Sequence, residues 1–445
     1  MMHTKIFIIG VLVFLGDGVF GQAGRIVDSV HCKGDAGQRY ALYVPARCGG
    51  RACPVIYCFD PHGDGGHPLR KYKSLADAYG YILAGSYNSK NGNDWPTTDK
   101  VWRALSADVA ERCRIDKPRQ YAIGFSGGAK VAGYVAIQYP GLRSIVVNGA
   151  GLPDGVSAGN FGFGITIVAG EGDMNMTESV ALNRALDGTA TRHRLLLFDG
   201  IHEWAPEAVM GMVFAGWGFD AMRMGLVAMD KGMVDAYVTR SKAAFERYVS
   251  GGMLIRAAQE ARYSAAVLAG VRSESGWFSA KLKGLESSSS YQGQVREQER
   301  LLQTEQSQKN VLMQQFQSGD MRYWTAEIRD LQGKAKAPGL ERGMYQRLVA
   351  YLSLAFYSFS NRMIQAGDNV GARHFVELYK LADATNSEAW YFSAILSARE
   401  ARGQEAERDL EKAVSCGFRD SRRMRQQPEF ARIDLSKVEK GMSRP

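Results

Sequence analysis

The chain has 445 residues, more than one ordinary domain holds, and its 45% hydrophobic content is ample for packed cores, which excludes a globally disordered protein. The net charge of +9 is compatible with anionic surfaces. No basic run with interleaved aromatics accompanies it, so the excess reads as scattered surface charge and nucleic-acid binding is not expected.

At the N-terminus, Lys5 precedes an apolar core over 6–15 that is too short to span a bilayer stably. Small residues then lead to Val19-Phe20-Gly21, a cleavage site before Gln22. The expectation is a secretory signal peptide over 1–21 and a secreted or periplasmic mature protein. No cysteine near the cleavage site suggests a lipid anchor, and no later stretch has transmembrane length, so no membrane span is expected after signal removal. Export makes disulfides feasible for Cys32, Cys48, Cys53, Cys58, Cys113 and Cys416. Cys48 and Cys53 flank the turn-like Gly49-Gly50-Arg51-Ala52 and are the easiest pair to close; the wider connectivity is open.

From Arg39 to Leu197 strand-type and helix-type runs alternate. Strands are expected at 39–44, 54–59, 81–85, 120–123, 143–147, 164–168 and 193–198, and helices near 69–79, 101–113, 129–138 and 177–186. That order argues for an α/β domain over 22–220 with a doubly wound, mostly parallel sheet. Its active site is expected at the carboxyl ends of the strands.

Tyr121-Ala122-Ile123-Gly124-Phe125-Ser126-Gly127-Gly128 reads as strand, sharp turn and helix start, the G-x-S-x-G nucleophile elbow. With 50 glycines, chance alone supplies on the order of 0.3 to 0.4 such matches, and a second one stands at Gly155-Val156-Ser157-Ala158-Gly159. Loop-type residues surround Ser157, whereas Ser126 has a strand before it and Ala129-Lys130-Val131-Ala132 after it, so Ser126 is the candidate. Asp173 follows the strand at 164–168, with Glu171 a rival carboxylate of different length. His202 follows the strand at 193–198. Alone, a loop aspartate or histidine is more often merely exposed. Three candidates in the order Ser, acid, His, each after its own strand, are far less expected by chance.

Tyr40-Ala41-Leu42-Tyr43-Val44-Pro45, Phe59-Asp60-Pro61-His62-Gly63, Gly124-Phe125-Ser126-Gly127-Gly128 and Gly200-Ile201-His202-Glu203-Trp204 together resemble an α/β-hydrolase. The nearest group is secreted serine esterases of the polyhydroxybutyrate-depolymerase, feruloyl-esterase and dienelactone-hydrolase-like type, over a little under half the chain. The resemblance implies Ser126 as nucleophile, Asp173 as acid and His202 as base. The Gly127 N–H is one oxyanion donor, and the loop Asp60-Pro61-His62-Gly63-Asp64-Gly65-Gly66-His67 resembles a His-Gly oxyanion loop, with Gly63 or Asp64 as the second. Asp60, His62, Asp64 and His67 also suit zinc or calcium chemically, but the glycine-rich spacing makes an oxyanion loop the better account, and no metal or cofactor is expected. His62, Phe125, Asn88, Asn91 and Trp95 are candidate substrate contacts, the last three in a polar loop after the strand at 81–85. No long insertion suggests a lid, which favours small or flexible acyl groups.

Beyond about Phe219 the pattern is helical: a linker or bundle over 221–340, broken at Ser287-Ser288-Ser289-Ser290, with a long exposed helix over 292–317. At 341–445, Trp390, Ala394, Ala406, Leu410 and Ala413 resemble a tetratricopeptide repeat of ~34 residues, with Ala372 and Val376 one period earlier. Ser393, Ser397 and Phe418 depart from that pattern. The implied function is an exported serine hydrolase acting on a small-molecule or polymer-borne ester, with a protein partner on the helical repeats. A non-catalytic scaffold and a peptidase on the same fold are the alternatives.

Overall fold

The computed structural model describes residues 23–442; the expected signal segment 1–21 lies outside the described residues. The first half contains β1 (Ile26–Cys32), β2 (Asp35–Tyr43), β3 (Cys53–Phe59), α1 (Gly66–Tyr79), β4 (Ile82–Ser86), α2 (Trp95–Arg112), β5 (Ile115–Phe125), α3 (Gly127–Gln138), β6 (Leu142–Asn148), β7 (Gly164–Gly170), α4 (Met176–Asp187) and β8 (His193–Phe198). The strands form one eight-stranded sheet ordered β1-β2-β4-β3-β5-β6-β7-β8. Only β2 runs against its neighbours; the rest pair in parallel. This is the α/β-hydrolase fold, with helices on both faces because strands such as β3 and β7 are buried along their whole length.

Seven strands and four helices stand where hydrophobic periodicity puts them. The unexpected one is β1, an edge strand whose alternation is broken by Ser29 at φ 61° and a register shift between Val27 and Val30. Helix α2 starts six residues before the expected Val101. Asp94 caps it, accepting the Thr97 N–H at 2.9 Å, and Pro96 occupies the first turn. Cys48 and Cys53 form a disulfide, while Cys32, Cys58 and Cys113 are buried thiols.

The second half is all helical: α5 (Glu207–Arg223), α6 (Lys231–Ser250), α7 (Leu254–Leu268), α8 (Glu274–Glu286), α9 (Ser289–Gln315), α10 (Met321–Lys336), α11 (Arg342–Ala366), α12 (Asn369–Ala382), α13 (Ser387–Arg399), α14 (Gly403–Ser415), α15 (Ser421–Gln426) and α16 (Ser436–Met442). These helices divide between two cores. On one face of the sheet, Leu69 and Tyr72 of α1 join Trp217, Tyr237, Tyr263 and Phe278 of α5 to α8. On the opposite face, Trp102, Val109, Val135 and Leu186 cover the strands. A separate core runs from Leu301 of α9 through Trp324, Leu348, Phe356, Val376, Tyr391 and Leu410 to Val438. The serine run is the break between α8 and α9, where Ser288 caps α9 by accepting the Tyr291 N–H. Among the described residues no helix is long and apolar enough to cross a membrane.

Candidate active site

Ser126 sits between the end of β5 and the start of α3 at φ 52° and ψ −122°, one of three described non-glycine residues with positive φ. Such a backbone costs about 1–3 kcal/mol and persists only where the surroundings impose it. They do. The Ser126 N–H donates to the Asn148 carbonyl at 2.8 Å, and the Ser126 carbonyl accepts from Ala129 at 3.0 Å. The turn is possible because Gly124 and Gly128 have no side chains. A Cβ on Gly124 would stand 1.9 Å from the Gly128 carbonyl oxygen, and one on Gly128 would stand 2.0 Å from that of Phe59.

His202 and Asp173 meet this serine. His202 Nδ1 lies 2.9 Å from Asp173 Oδ1, and Nε2 lies 3.1 Å from Ser126 Oγ. A carboxylate only accepts, so Nδ1 carries the hydrogen and Nε2 is left to accept from the serine hydroxyl. Asp173 is fully buried, and its Oδ1 also accepts the Asn175 N–H at 2.8 Å. The Phe125 ring packs 4.6 Å from the imidazole, fixing its plane. Glu171, the rival acid, turns away to an ion pair with Arg256 of α7. Ser157 lies exposed in the loop between β6 and β7.

Three residues not assigned such a role from the sequence, Asn148, Asn175 and Asp60, hold this arrangement. Asn148, the last residue of β6, ties the elbow to the histidine loop: its carbonyl takes the Ser126 N–H, its Oδ1 takes the Ala205 N–H at 2.8 Å, and its Nδ2 donates to the Glu203 carbonyl at 3.2 Å. Asn175 Nδ2 donates to the Gly149 carbonyl at 2.8 Å. Buried Asp60 accepts the Trp204 indole N–H at 2.8 Å and the His62 N–H at 2.8 Å. Burial pushes the Asp60 carboxyl up, but the hydrogen bonds from His62 and Trp204 outweigh it and hold the group below its ordinary value. The hydrogen bond to Asp60 raises His62 in turn. Asp60 directly follows β3 and Asn148 ends β6, so a polar residue at the end of a buried strand is their sequence signal; Asn175, beyond the end of β7, has none of that kind.

The oxyanion side differs from expectation. The Gly63 N–H donates to the Asp60 carbonyl at 3.1 Å and the Asp64 N–H faces Asp60 Oδ1 at 3.4 Å, so both are used inside the loop. Asp60 organises this turn from its first position, as aspartate side chains do. His62 points to solvent with 83% of its side chain exposed. Asp64 pairs with Arg70. Among the described residues no group of three or more His, Cys, Asp or Glu side chains converges as a metal-binding set.

Of the three loop candidates, only Asn91 reaches the elbow, at Gly127. Its backbone N–H is anchored on the Pro61 carbonyl at 2.8 Å, and its carboxamide lies on Gly127, with Oδ1 1.9 Å from where a Cβ there would stand. Asn88 is occupied by β2, accepting the Arg39 N–H and donating to the Gly37 carbonyl. Trp95 is in α2 rather than a loop, and stacks on Tyr134 of α3 at 4.3 Å, two turns along that helix from Gly127. No lid is inserted in the α/β part, yet the C-terminal helices contact loops on both sides of the serine. Arg342 pairs with Asp199, Arg347 with the Glu171 carbonyl, and Asp420 lies 3.4 Å from Lys90.

No family model matches the sequence, and no curated protein is similar to it in sequence. Solved structures similar in fold include a hyperthermophilic esterase from the archaeon Pyrobaculum calidifontis, at 13% identity and TM-score 0.38, covering 45% of this chain and 87% of that one. An S-formylglutathione hydrolase from Agrobacterium tumefaciens is 16% identical at TM-score 0.32, covering 40% and 87%. A ferulic acid esterase is 12% identical at TM-score 0.31, covering 40% and 90%. The fold assignment itself rests on the strand order and directions of this chain.

Proposed function

We propose that the protein is a serine hydrolase that cleaves carboxylic esters through an acyl-enzyme. The supporting observation is the unbroken relay from Ser126 Oγ through His202 to buried Asp173, assembled from the ends of β5, β7 and β8. As Ser126 Oγ attacks the ester carbonyl, His202 Nε2 takes its proton and then delivers it to the departing alcohol. Asp173 holds the imidazole in the required tautomer and stabilises the imidazolium. Water attacks the acyl-enzyme by the same route in reverse, with His202 again the base. The Gly127 N–H, at the first turn of α3 and without an intrahelical partner, faces the developing oxyanion.

The second donor in this proposal is the Asn91 carboxamide. It rests on Gly127 and has no hydrogen-bond partner among the described residues, so its NH2 is free to turn toward the oxyanion. Asn91→Ala is then expected to lower kcat by about 10²-fold with little change in KM. An unchanged kcat removes Asn91 from the oxyanion site.

The compartment proposed is outside the cytoplasm, where the Cys48–Cys53 disulfide is stable. The ester is small or borne on a polymer, as for the secreted esterases the sequence resembles. The helix pairs α11–α12 and α13–α14 are proposed as a tetratricopeptide-like platform for a protein partner. The test of the chemistry is a fluorophosphonate probe on the purified protein. The expected result is one covalent adduct, mapped by peptide mass to Ser126. An adduct on Ser157 transfers the assignment, and an unreactive protein favours a non-catalytic scaffold.

A further inference from the structure

Helix α11 belongs to the C-terminal core through Leu348, Leu352 and Phe356. A second face of the same helix lies on the loop that carries Asp173. Gly343, Gln346 and Arg347, spaced i, i+3 and i+4, form that face. A Cβ on Gly343 would stand 2.9 Å from the Glu171 carbonyl oxygen, so the helix backbone approaches the loop closely. A Cβ on Gly172 would stand 2.2 Å from Gln346 Oε1 and 2.8 Å from Gln346 Cβ, so the side chain of Gln346 occupies the space beside Gly172.

Arg347 completes the contact. It is 5% exposed, and its Nε and Nη2 bond Glu305 of α9 at 2.8 and 2.7 Å; Glu305 itself is 2% exposed. The remaining arm, Nη1, donates to the Glu171 carbonyl. A buried guanidinium is costly unless every arm is satisfied, so this side chain has little freedom to move. On its opposite side the same loop continues the β7–β8 ladder: the Glu171 N–H donates to the Phe198 carbonyl and the Gly172 N–H to the Gly200 carbonyl, both at 2.8 Å. The acid loop is thus clamped between β8 and α11.

We propose that α11 is a buttress for the catalytic acid. Arg347 is the positioning residue that holds Glu171-Gly172 so that Asp173 meets His202, and Gln346 fills the space beside Gly172. The C-terminal helices are then part of the active site rather than an appended module. This inference rests on the serine-hydrolase reading for its effect on turnover, but not for its effect on the geometry of Asp173 and His202.

The decisive variant is Arg347→Lys in the full chain. Lysine keeps the charge beside Glu305, but a single ammonium cannot span both Glu305 and the Glu171 carbonyl. The expected result is a folded protein, judged by circular dichroism, whose kcat falls about tenfold or more with KM within about twofold, because misplacing a catalytic group by an ångström is enough for that loss.

An independent readout is the NMR resonance of the His202 Nδ1 proton. The hydrogen bond to Asp173 Oδ1 holds that proton downfield, so retreat of the carboxylate moves its resonance upfield. Ser126 and Asp173 face the ring nitrogens, uncharged Phe125 packs on the ring, and Glu203 turns to the Ile201 N–H. Arg347→Lys substitutes none of these and leaves the net charge unchanged.

Wild-type kcat and an unmoved Nδ1 proton resonance in Arg347→Lys overturn the buttress. Should that variant fail to fold, Gly172→Ala is the deciding substitution: kcat falls and the resonance moves upfield, and Gln346→Gly in the same chain restores both. No loss in Gly172→Ala, or no rescue, also overturns the proposal. A wild type that neither reacts with the probe nor cleaves esters defeats the hydrolase reading alone, and the resonance still decides on the buttress.

Discussion

Replacing either Ser126 or His202 by alanine is expected to lower ester turnover by about 10⁴- to 10⁶-fold, and replacing both to cost no more than either alone. The reason lies in the relay. Ser126 Oγ is 3.1 Å from His202 Nε2, and neither group does its share without the other: the hydroxyl is a weak nucleophile, and the imidazole has no proton to take. The residual rate measures what Gly127 and substrate binding supply unaided.

Asp173→Asn is expected to be milder, about 10²- to 10³-fold. Asp173 Oδ1 takes both the His202 Nδ1 and Asn175 N–H bonds, so an asparagine oxygen can keep both and preserve the tautomer. What disappears is the negative charge beside the imidazolium, and the amide NH2 replaces a buried Oδ2 that has no partner. Steady-state hydrolysis of p-nitrophenyl acetate by the purified variants checks the series. Ser157→Ala should match the wild type. A Ser126→Ala protein that retains wild-type turnover places the nucleophile elsewhere.

The three relay residues were legible because the parallel sheet makes a strong local pattern. Buried strands such as Ile165-Thr166-Ile167-Val168 are continuous apolar runs, and in such a sheet the loop that follows the run faces the site. Where local patterning and environment disagree, the sequence misleads. The fragment Ile26-Val27-Asp28-Ser29 looks too polar for a strand because β1 is an edge with one side in water and a break at Ser29. Trp95 looks like loop because its neighbours are polar, although Asp94 and Pro96 are a helix start.

Gly63 and Asp64 look like donors because glycine-rich loops after buried strands often supply them. Nothing local tells that Asp60 takes those N–H groups itself, that of Gly63 on its carbonyl and that of Asp64 on its carboxylate. The contact of Arg347 with Glu171 is of another kind, joining residues 176 apart through two separate cores. No periodicity or motif reports such a contact, and the small residues that permit it, Gly172 and Gly343, read in sequence as ordinary loop and helix glycines.

The elbow allows a sharper test, since its two consecutive glycines face different neighbours. Gly128→Ala is expected to destabilise the fold by about 3 kcal/mol or more. Its Cβ would stand 2.0 Å from the Phe59 carbonyl oxygen and 2.6 Å from the Phe59 carbonyl carbon, both backbone atoms of a central strand paired on each side. Relief requires moving β3 or α3, and moving either breaks the turn that holds Ser126. Gly127→Ala meets only the end of a side chain, the Asn91 carboxamide, which an exposed residue can swing aside. That variant should therefore fold with near wild-type stability and lose activity through displaced Asn91. Urea denaturation followed by circular dichroism separates the two. Equal stability loss in both variants contradicts a distinction made only by backbone against side chain, and a fully stable Gly128→Ala shows that the strand and helix are not wedged at this point.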